Sequence, residues 1–248
     1  MATTPRPSAN REIDYPTSDG KPMAETDVHR QDMIDLIETL QDHFADDPDV
    51  YVTGNLLLYY ERGNPRRHVS PDVFVVRGVE KGLRDYYLLW EEGKSPDVVI
   101  EITSKTTRRK DQKKKLILYR DALKVPEYFQ FDPTEDYLKP PMQGHRLVEG
   151  QYVSIEPIEG RLPSALLGLH LERDGLELRL YDPSTGHRLL KPRERMIEAE
   201  AAAEAARREA EAEAAEQLAE ERAQLVEAEN ERLRREMDAL LRKLSGGA

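Results

Sequence analysis

The stretches Ser70–Val76, SPDVFVV, and Ser95–Glu101, SPDVVIE, open with the same tripeptide and continue as short apolar runs. Short runs rich in valine, isoleucine and phenylalanine that follow a proline are typical of buried β-strands. We therefore predict two strands, with Asp72 at the start of the first and Asp97 at the start of the second.

The spacing of the acidic residues indicates which aspartate belongs to a site with Glu101. Asp97 and Glu101 share one face of their strand, but at ~3.3 Å per residue they lie about 13 Å apart, too far to bind one ion. If the two strands pair antiparallel, a register with Asp72 opposite Glu101 also places Val76 opposite Asp97, and opposed Cβ atoms are ~4.5–5.5 Å apart. On that assumed register, Asp72 and Glu101 are the predicted ligands of one Mg²⁺ or Mn²⁺, and Asp97 is a strand-entry residue.

The surroundings of Glu101 favour a site. The residues before and after it, Val98–Ile100 and Ile102, are apolar, and a carboxylate in such a strand is costly unless it is paired or coordinates a metal. The alternative is an edge-strand acid that reaches solvent or pairs with a lysine or arginine.

A basic segment follows Glu101, in a chain whose formal net charge is −11. Such a local positive field attracts phosphate backbones, although charge runs are often plain solvated helix faces. The predicted phosphate contacts are Lys105, Arg108, Arg109, Lys110, Lys113 and Lys114. On a helix, Asp111, Lys115 and Tyr119 share one face, which can look back over the strand end. Lys115 is then placed to reach a substrate phosphate or the attacking water, or else pairs with Asp111.

The rest of the chain predicts an α+β domain between two extensions. Residues 1–22 are rich in Pro, Ser, Thr and Gly and are predicted to be a flexible arm. A helix is predicted near 26–45, strands at 49–61 and 126–132, a helix at 106–123, and β-hairpins after Asp132, one of them with a type I′ turn at Asp174-Gly175. Tyr86, Tyr87 and Trp90 fall in a long loop, where they are expected to act as anchors.

The chain has no cysteine, which fits a cytoplasmic protein, and no apolar run long enough for a membrane span.

Residues 191–248 are rich in Ala, Glu and Arg and predict a long helix. Its end has the spacing of a coiled-coil seam, with Val226, Leu233 and Leu240 at one core position and Asn230, Met237 and Leu244 at the other. An Asn at a core position favours a parallel pair, so a homodimer is expected. A single solvated helix is the alternative, and it is the preferred interpretation for residues 195–215.

Pro71-Asp72, Glu101 on the next strand and a basic helix resemble the PD-(D/E)XK nuclease superfamily. The stretch PDVVIEITSKTTRRKDQKKKLILYRDALKVPEYFQFDP, residues 96–133, is similar to a bacterial family of restriction-endonuclease-like proteins. The likeness covers roughly residues 22–190. It implies a restriction-endonuclease-like core, a mixed sheet flanked by helices, at 23–190.

The resemblance also implies roles for single residues. The superfamily places a lysine two residues after the acid, where this chain has Thr103; in the narrower family that role moves to the following helix, at the position of Lys115. An additional acid from the first helix is matched by Glu25 or Glu38. His29, one turn after Glu25, either orients a substrate phosphate or packs, and packing is the favoured interpretation.

Two functional hypotheses follow, and a third is that the tail carries the activity. The first is a Mg²⁺-dependent DNA endonuclease in which Asp72 and Glu101 bind the metal and Lys115 stabilises the transition state. The second is a catalytically decayed nuclease fold that binds DNA or assembles partners through its coiled coil, as Thr103 and the negative net charge suggest. Binding of Mg²⁺ discriminates between these two.

Overall fold

The computed structural model of the chain describes residues 14–18, 20, 26–103 and 109–245, with the side chains of 109–112 and 243–245 left out. The chain forms two compact units, one ending at Pro192 and one beginning at Arg193.

The elements of the chain are as follows. The helices are α1 (Asp27–His43), α2 (Leu89–Glu92), α3 (Arg109–Ile117), which continues into a π-helical turn (Leu118–Ala122), and α4 (Pro192–Ser245). The strands are β1 (Val50–Thr53), β2 (Leu58–Tyr59), β3 (His68–Val69), β4 (Val73–Arg77), β5 (Tyr87–Leu88), β6 (Val98–Ile102), β7 (Glu127–Phe131), β8 (Met142–Val148), β9 (Gln151–Ser154), β10 (Leu162–Ser164), β11 (Leu169–Asp174), β12 (Glu177–Asp182) and β13 (His187–Arg188).

A six-stranded mixed sheet, in the order β1-β4-β6-β7-β8-β9, forms the centre of the first unit. Strands β6 and β7 are parallel, and the other neighbours are antiparallel. The parallel pair requires a crossover, which α3 and its π-helical turn supply. Because β6 lies inside the sheet, Glu101 is not an edge-strand acid.

Alternating side chains of β4 and β6 supply two hydrophobic cores on opposite faces of this sheet. One face carries Val73, Val75, Val98 and Ile100, which pack with α1 and with the sheet formed by β10–β13. The other face carries residues of the opposite parity, which pack with α3, its π-helical turn and the small sheet β3-β2-β5: Phe74, Val76 and Val99.

The predicted first helix is confirmed. Thr26 caps α1, since its hydroxyl accepts a hydrogen bond from the backbone N–H of His29 at 3.2 Å, and the helix begins at Asp27. Met33, Leu36 and Leu40 then form the buried stripe of the helix.

The single strand predicted at 49–61 is wrong. The chain breaks at Gly54-Asn55, where Asn55 has φ 51°, so β1 belongs to the large sheet and β2 to the three-stranded sheet. Between them the backbone N–H of Asn55 donates to the carbonyl of Pro71 at 2.8 Å, which ties this corner to the residue before Asp72.

The hairpins predicted after Asp132 are present, with one correction. Asp174 pairs with Glu177, so the loop residues are Gly175 and Leu176, one position later than predicted. Gly175 has φ 63°, and glycine at the first loop position is the pattern of a type II′ turn. The predicted turn at residues 182–186 is present, with residues 183–186 connecting β12 to β13.

The predicted loop between the two SPD strands contains β5 and α2. Tyr87 is fully buried and its hydroxyl donates to the carbonyl of Lys94 at 2.6 Å. Tyr86 and Trp90 pack with Tyr15 and Tyr59, and the Tyr59 hydroxyl donates to the carbonyl of Pro16 at 2.5 Å. Residues 14–18 of the predicted arm therefore contact the domain.

The helix α4 has 54 residues, and all of them except Pro192 belong to the second unit. Ion pairs one turn apart, such as Arg208 with Glu204 and Arg235 with Glu231, line its exposed surface. Within the part of the chain that the structure describes, no helix has the length and apolar character of a membrane span.

Candidate active site

Strands β4 and β6 pair antiparallel, in the register that was assumed in the sequence analysis. Val73 lies opposite Ile100, Phe74 opposite Val99 and Val75 opposite Val98. Continued by one residue, this register places Asp72 opposite Glu101, at the end of the central sheet. The predicted antiparallel neighbourhood of these two acids is confirmed.

Glu101 is buried, with 5% of its surface exposed, and it is held by two side chains from the crossover. The Lys115 ammonium lies 2.8 Å from Oε1 and 2.7 Å from Oε2. The Tyr119 hydroxyl donates to Oε1 at 2.6 Å. Lys115 and Tyr119 are four residues apart and approach the acid from the same helical face, as predicted.

Asp72 is held through one of its two oxygens. Oδ2 accepts a hydrogen bond from the backbone N–H of Ile102 at 2.7 Å, and Nε2 of buried His29 lies 3.1 Å from the same atom. No hydrogen bond from the described residues reaches Oδ1. His29 therefore does more than pack, because α1 brings its imidazole to the first acid of the site.

Asp97 has a separate, structural environment. Its Oδ2 accepts a hydrogen bond from the backbone N–H of Arg77 at 2.6 Å and lies 3.5 Å from the Lys94 ammonium. Asp97 thus secures the opposite end of the β4–β6 ladder, as expected of a strand-entry residue.

The two site acids have pKa values shifted in opposite directions. Burial raises the pKa of Glu101 to about 7, although the charge of Lys115 opposes that shift. Burial also acts to raise the pKa of Asp72, but the contact with His29 and the charge of Lys115 outweigh it and hold the pKa below its ordinary value. Burial and the neighbouring Glu101 raise the pKa of Tyr119, so its hydroxyl stays a proton donor.

The π-helical turn at Leu118–Ala122 places Tyr119 in the site. Tyr119 is fully buried, and its ring lies 5.0 Å from that of Tyr128 on β7. The backbone N–H of Leu123 donates to the carbonyl of Leu118, five residues back, at 3.0 Å. Such wide turns are often found at functional sites.

The sequence of the chain matches, over residues 4–179, the Uma2 family, whose description is "Putative restriction endonuclease". The chain belongs to this family. No curated protein matches it.

One solved structure that resembles the chain is that of a putative nuclease belonging to DUF820, from Anabaena variabilis. It is 16% identical, the match covers 63% of this chain and 83% of that one, and the TM-score is 0.47. The mixed α+β architecture described above is that of a restriction-endonuclease-like protein, as Uma2 membership implies.

Thr103, at the position where the resemblance to the nuclease superfamily leads one to expect lysine, forms a hydrogen bond with the backbone instead. It is buried, and its hydroxyl donates to the carbonyl of Phe131 at 3.1 Å. A cation beside Glu101 is supplied instead by Lys115 of α3, and its ammonium also lies 3.4 Å from the carbonyl of Ser70.

Sequence reasoning missed Gln130. It is buried, with 4% of its surface exposed, and it pairs with Glu101 across the parallel β6–β7 ladder, so its side chain shares the face of the acid. The available signal was an amide between two phenylalanines in the strand EYFQF.

Several predicted residues lie outside the described part of the chain. Glu25, Lys105 and Arg108 are not described, and for Arg109, Lys110 and Asp111 only the helical backbone is. Lys113 and Lys114 are exposed on α3, beside Lys115. Glu38, the other acid considered on α1, lies more than two turns beyond His29, so α1 brings His29 and not Glu38 to Asp72.

The residues present fit a hard divalent cation such as Mg²⁺. Two carboxylates at opposed strand positions offer oxygen ligands, and Oδ1 of Asp72 is free of hydrogen bonds from the described residues. Mg²⁺ is usually bound by one or two carboxylates together with water and substrate phosphate. Among the side chains that the structure describes, no group of three or more His, Cys, Asp or Glu residues is placed to hold a metal ion.

Proposed function

We propose that the chain is a metal-dependent DNA endonuclease that hydrolyses phosphodiester bonds at the Asp72–Glu101 site. The observation that carries the proposal is the arrangement around Glu101: a buried acid opposite Asp72, with the Lys115 ammonium within 2.8 Å of both its oxygens. A carboxylate pair can hold a metal ion, and a neighbouring ammonium can stabilise the negative charge that grows on a phosphate in the transition state.

Each residue has a role that follows from its contacts. Asp72 and Glu101 would hold Mg²⁺ or Mn²⁺, which when bound lowers the pKa of a water ligand and neutralises phosphate charge. Lys115 would donate to a phosphate oxygen and stabilise the negative charge that grows there. Tyr119 and His29 would each fix one acid in place through the contacts at Glu101 Oε1 and Asp72 Oδ2.

The test is a cleavage assay on supercoiled plasmid and single-stranded DNA with Mg²⁺ and with Mn²⁺. Wild type should nick or cut DNA only with metal, and Glu101→Gln should lose activity by roughly a hundredfold or more, because a ligand and its charge are removed. Tyr119→Phe, which removes one hydrogen bond to Glu101 but leaves the acid in place, should lose less cleavage activity than Glu101→Gln. Cleavage that persists in EDTA would overturn the proposal.

The second candidate function, a decayed nuclease fold that binds DNA or assembles partners, is separated from the first by direct metal binding. Calorimetry with Mn²⁺ should show a site that Asp72→Asn abolishes. The position of Lys115 supports the active enzyme, because the chain retains a cation next to Glu101 even though Thr103 replaces the usual lysine.

We further propose that two chains associate through the end of α4 as a parallel coiled coil. Such a homodimer would carry two carboxylate sites, which suits cleavage of both strands of a duplex. Support comes from the exposed apolar side chains that repeat along the last heptads of the helix.

A further inference from the structure

The loop between β2 and β3, residues 61–67, exposes three arginines in a chain with a net charge of −11. Arg67 is engaged inside the loop, because its Nε lies 3.0 Å from Oε2 of Glu61 and its guanidinium lies 5.6 Å from the ring centre of Tyr60. Arg62 and Arg66 are exposed and form no ion pair with the described residues. Two guanidinium groups are therefore left for an external anion.

The loop is held in shape by its own hydrogen bonds. The Asn64 amide donates to Glu61 at 3.0 Å, the backbone N–H of Arg67 donates to the carbonyl of Asn64 at 3.0 Å, and the backbone N–H of Gly63 donates to the Tyr15 hydroxyl at 2.7 Å. A loop that is already ordered loses little conformational entropy when its arginines bind.

A short segment of chain connects this loop to the candidate active site. Leu58 of β2 and Val69 of β3 belong to the same hydrophobic core as Val99 and Tyr119, so the small sheet and α3 pack on the same face of the central sheet. After β3 the chain continues through Ser70 to Asp72. At ~3.3 Å per residue, the six steps from Arg66 to Asp72 span at most about 20 Å, less than one turn of duplex DNA.

We propose that the loop at residues 61–67 is a DNA-backbone contact, in which Arg62 and Arg66 bind phosphates flanking the one that lies at Asp72 and Glu101. This inference rests on the proposed nuclease function, because that function supplies DNA as the ligand of the loop. Guanidinium groups suit phosphate because they donate two parallel hydrogen bonds. The contact positions the duplex without reading its sequence. Lys113 and Lys114, exposed on α3, would add to the positive charge that a DNA backbone meets on this face of the central sheet.

The test measures duplex binding by fluorescence anisotropy, with the full chain in EDTA so that no cleavage occurs. Affinity is recorded from about 50 to 300 mM salt for wild type, Arg62→Gln, Arg66→Gln and the double variant. Each lost phosphate contact should reduce the slope of log K against log salt by about 0.9 and raise Kd about tenfold at ~0.1 M salt. The control, Lys124→Gln, removes one charge at the opposite end of β6, where Ser95 contacts Leu123, and should leave the slope unchanged.

Two results would overturn the inference, and they are distinguishable from failure of the nuclease. A double variant with the wild-type slope, or a slope lowered equally by Lys124→Gln, would show that the loop makes no specific phosphate contact, even if plasmid cleavage by wild type is intact. A wild-type chain that binds no duplex removes both the contact and the DNA substrate. A normal loss of slope with no metal-dependent cleavage would support the loop and reject the endonuclease.

Discussion

Asp72 and Asp97 have the same structural role at opposite ends of the β4–β6 strand pair, because each accepts a backbone hydrogen bond. Each accepts a hydrogen bond from an N–H on the neighbouring strand, Ile102 for Asp72 and Arg77 for Asp97, so the repeated tripeptide closes the ladder at both ends. What differs is what surrounds them. Only Asp72 meets a second acid and an imidazole, and chemistry is therefore expected at one end alone.

The difference between the two aspartates gives a direct prediction. Asp72→Asn should abolish metal-dependent cleavage and Mn²⁺ binding, because the amide removes a charged oxygen ligand while it can still accept the Ile102 N–H. Asp97→Asn is the matched control and should keep most of the activity. Circular dichroism checks that both variants fold. Equal loss of activity in two folded variants would place the site elsewhere.

Lys115 should matter far more than the lysines beside it. Lys115→Ala should lower kcat by about a hundredfold to a thousandfold, as the loss of one charge-stabilising donor does in other enzymes. Lys113→Ala and Lys114→Ala, which remove exposed charges, should mainly raise the KM for DNA, and this rise should shrink at high salt. If all three variants show the same small rise in the KM for DNA and no loss of kcat, Lys115 only attracts phosphate.

The residue pattern predicted the acid pair but not all of its partners. The SPD repeat and period-two alternation predicted which residues of β4 and β6 share a face, but the register between the two strands had to be assumed. Helical spacing predicted the shared face of Lys115 and Tyr119. The contact of His29 with Asp72 depends on where α1 packs against the end of the sheet, which no local spacing encodes. Gln130 was missed for the same reason, because the pairing of β7 with β6 is a long-range contact.

At the scale of elements, the corner between β1 and β2 shows where local patterns fail. Residues 49–61 contain enough β-branched, aromatic and leucine residues to predict one strand, yet the chain turns at Gly54. A Cβ added at Gly54 would overlap the backbone carbonyl oxygen of Asp72 and lie 2.7 Å from Cδ1 of Ile37. The break therefore exists because two backbones approach each other closely, a requirement visible only in the folded chain.

This close approach predicts that Gly54→Ala disturbs both stability and the site. Overpacking of this kind typically costs about 1–3 kcal/mol, and relief by movement of residue 72 would displace the acid. We expect a lower midpoint in urea unfolding and weaker Mn²⁺ binding in the fraction that stays folded. Gly82→Ala, where an added Cβ meets only the Arg84 side chain at 4.0 Å, is the control and should be near neutral. An unchanged unfolding midpoint for Gly54→Ala would contradict the overlap.

At the scale of the whole molecule, the two units divide the charge and the apolar surface differently. The first unit carries exposed positive charge in the loop at 61–67 and on α3, whereas α4 carries alternating ion pairs. Near the end of α4, Val226, Leu233, Met237 and Leu240 are each 50–61% exposed and repeat with the four-three spacing of a seam. Such a row on an isolated helix leaves apolar area in water that a second helix can cover.

The last prediction is that this seam makes the chain a dimer. The full chain should have twice the monomer mass by light scattering, and removal of residues 216–248 should give a monomer whose first unit still folds. Asn230→Leu should strengthen association but relax its stoichiometry, because a buried Asn fixes register and pairing number at a cost in stability. A full chain that is monomeric at high micromolar concentration would contradict the dimer. Each acid pair would then meet DNA alone, nicking one strand per encounter, so plasmid would accumulate as open circles before any linear product appeared.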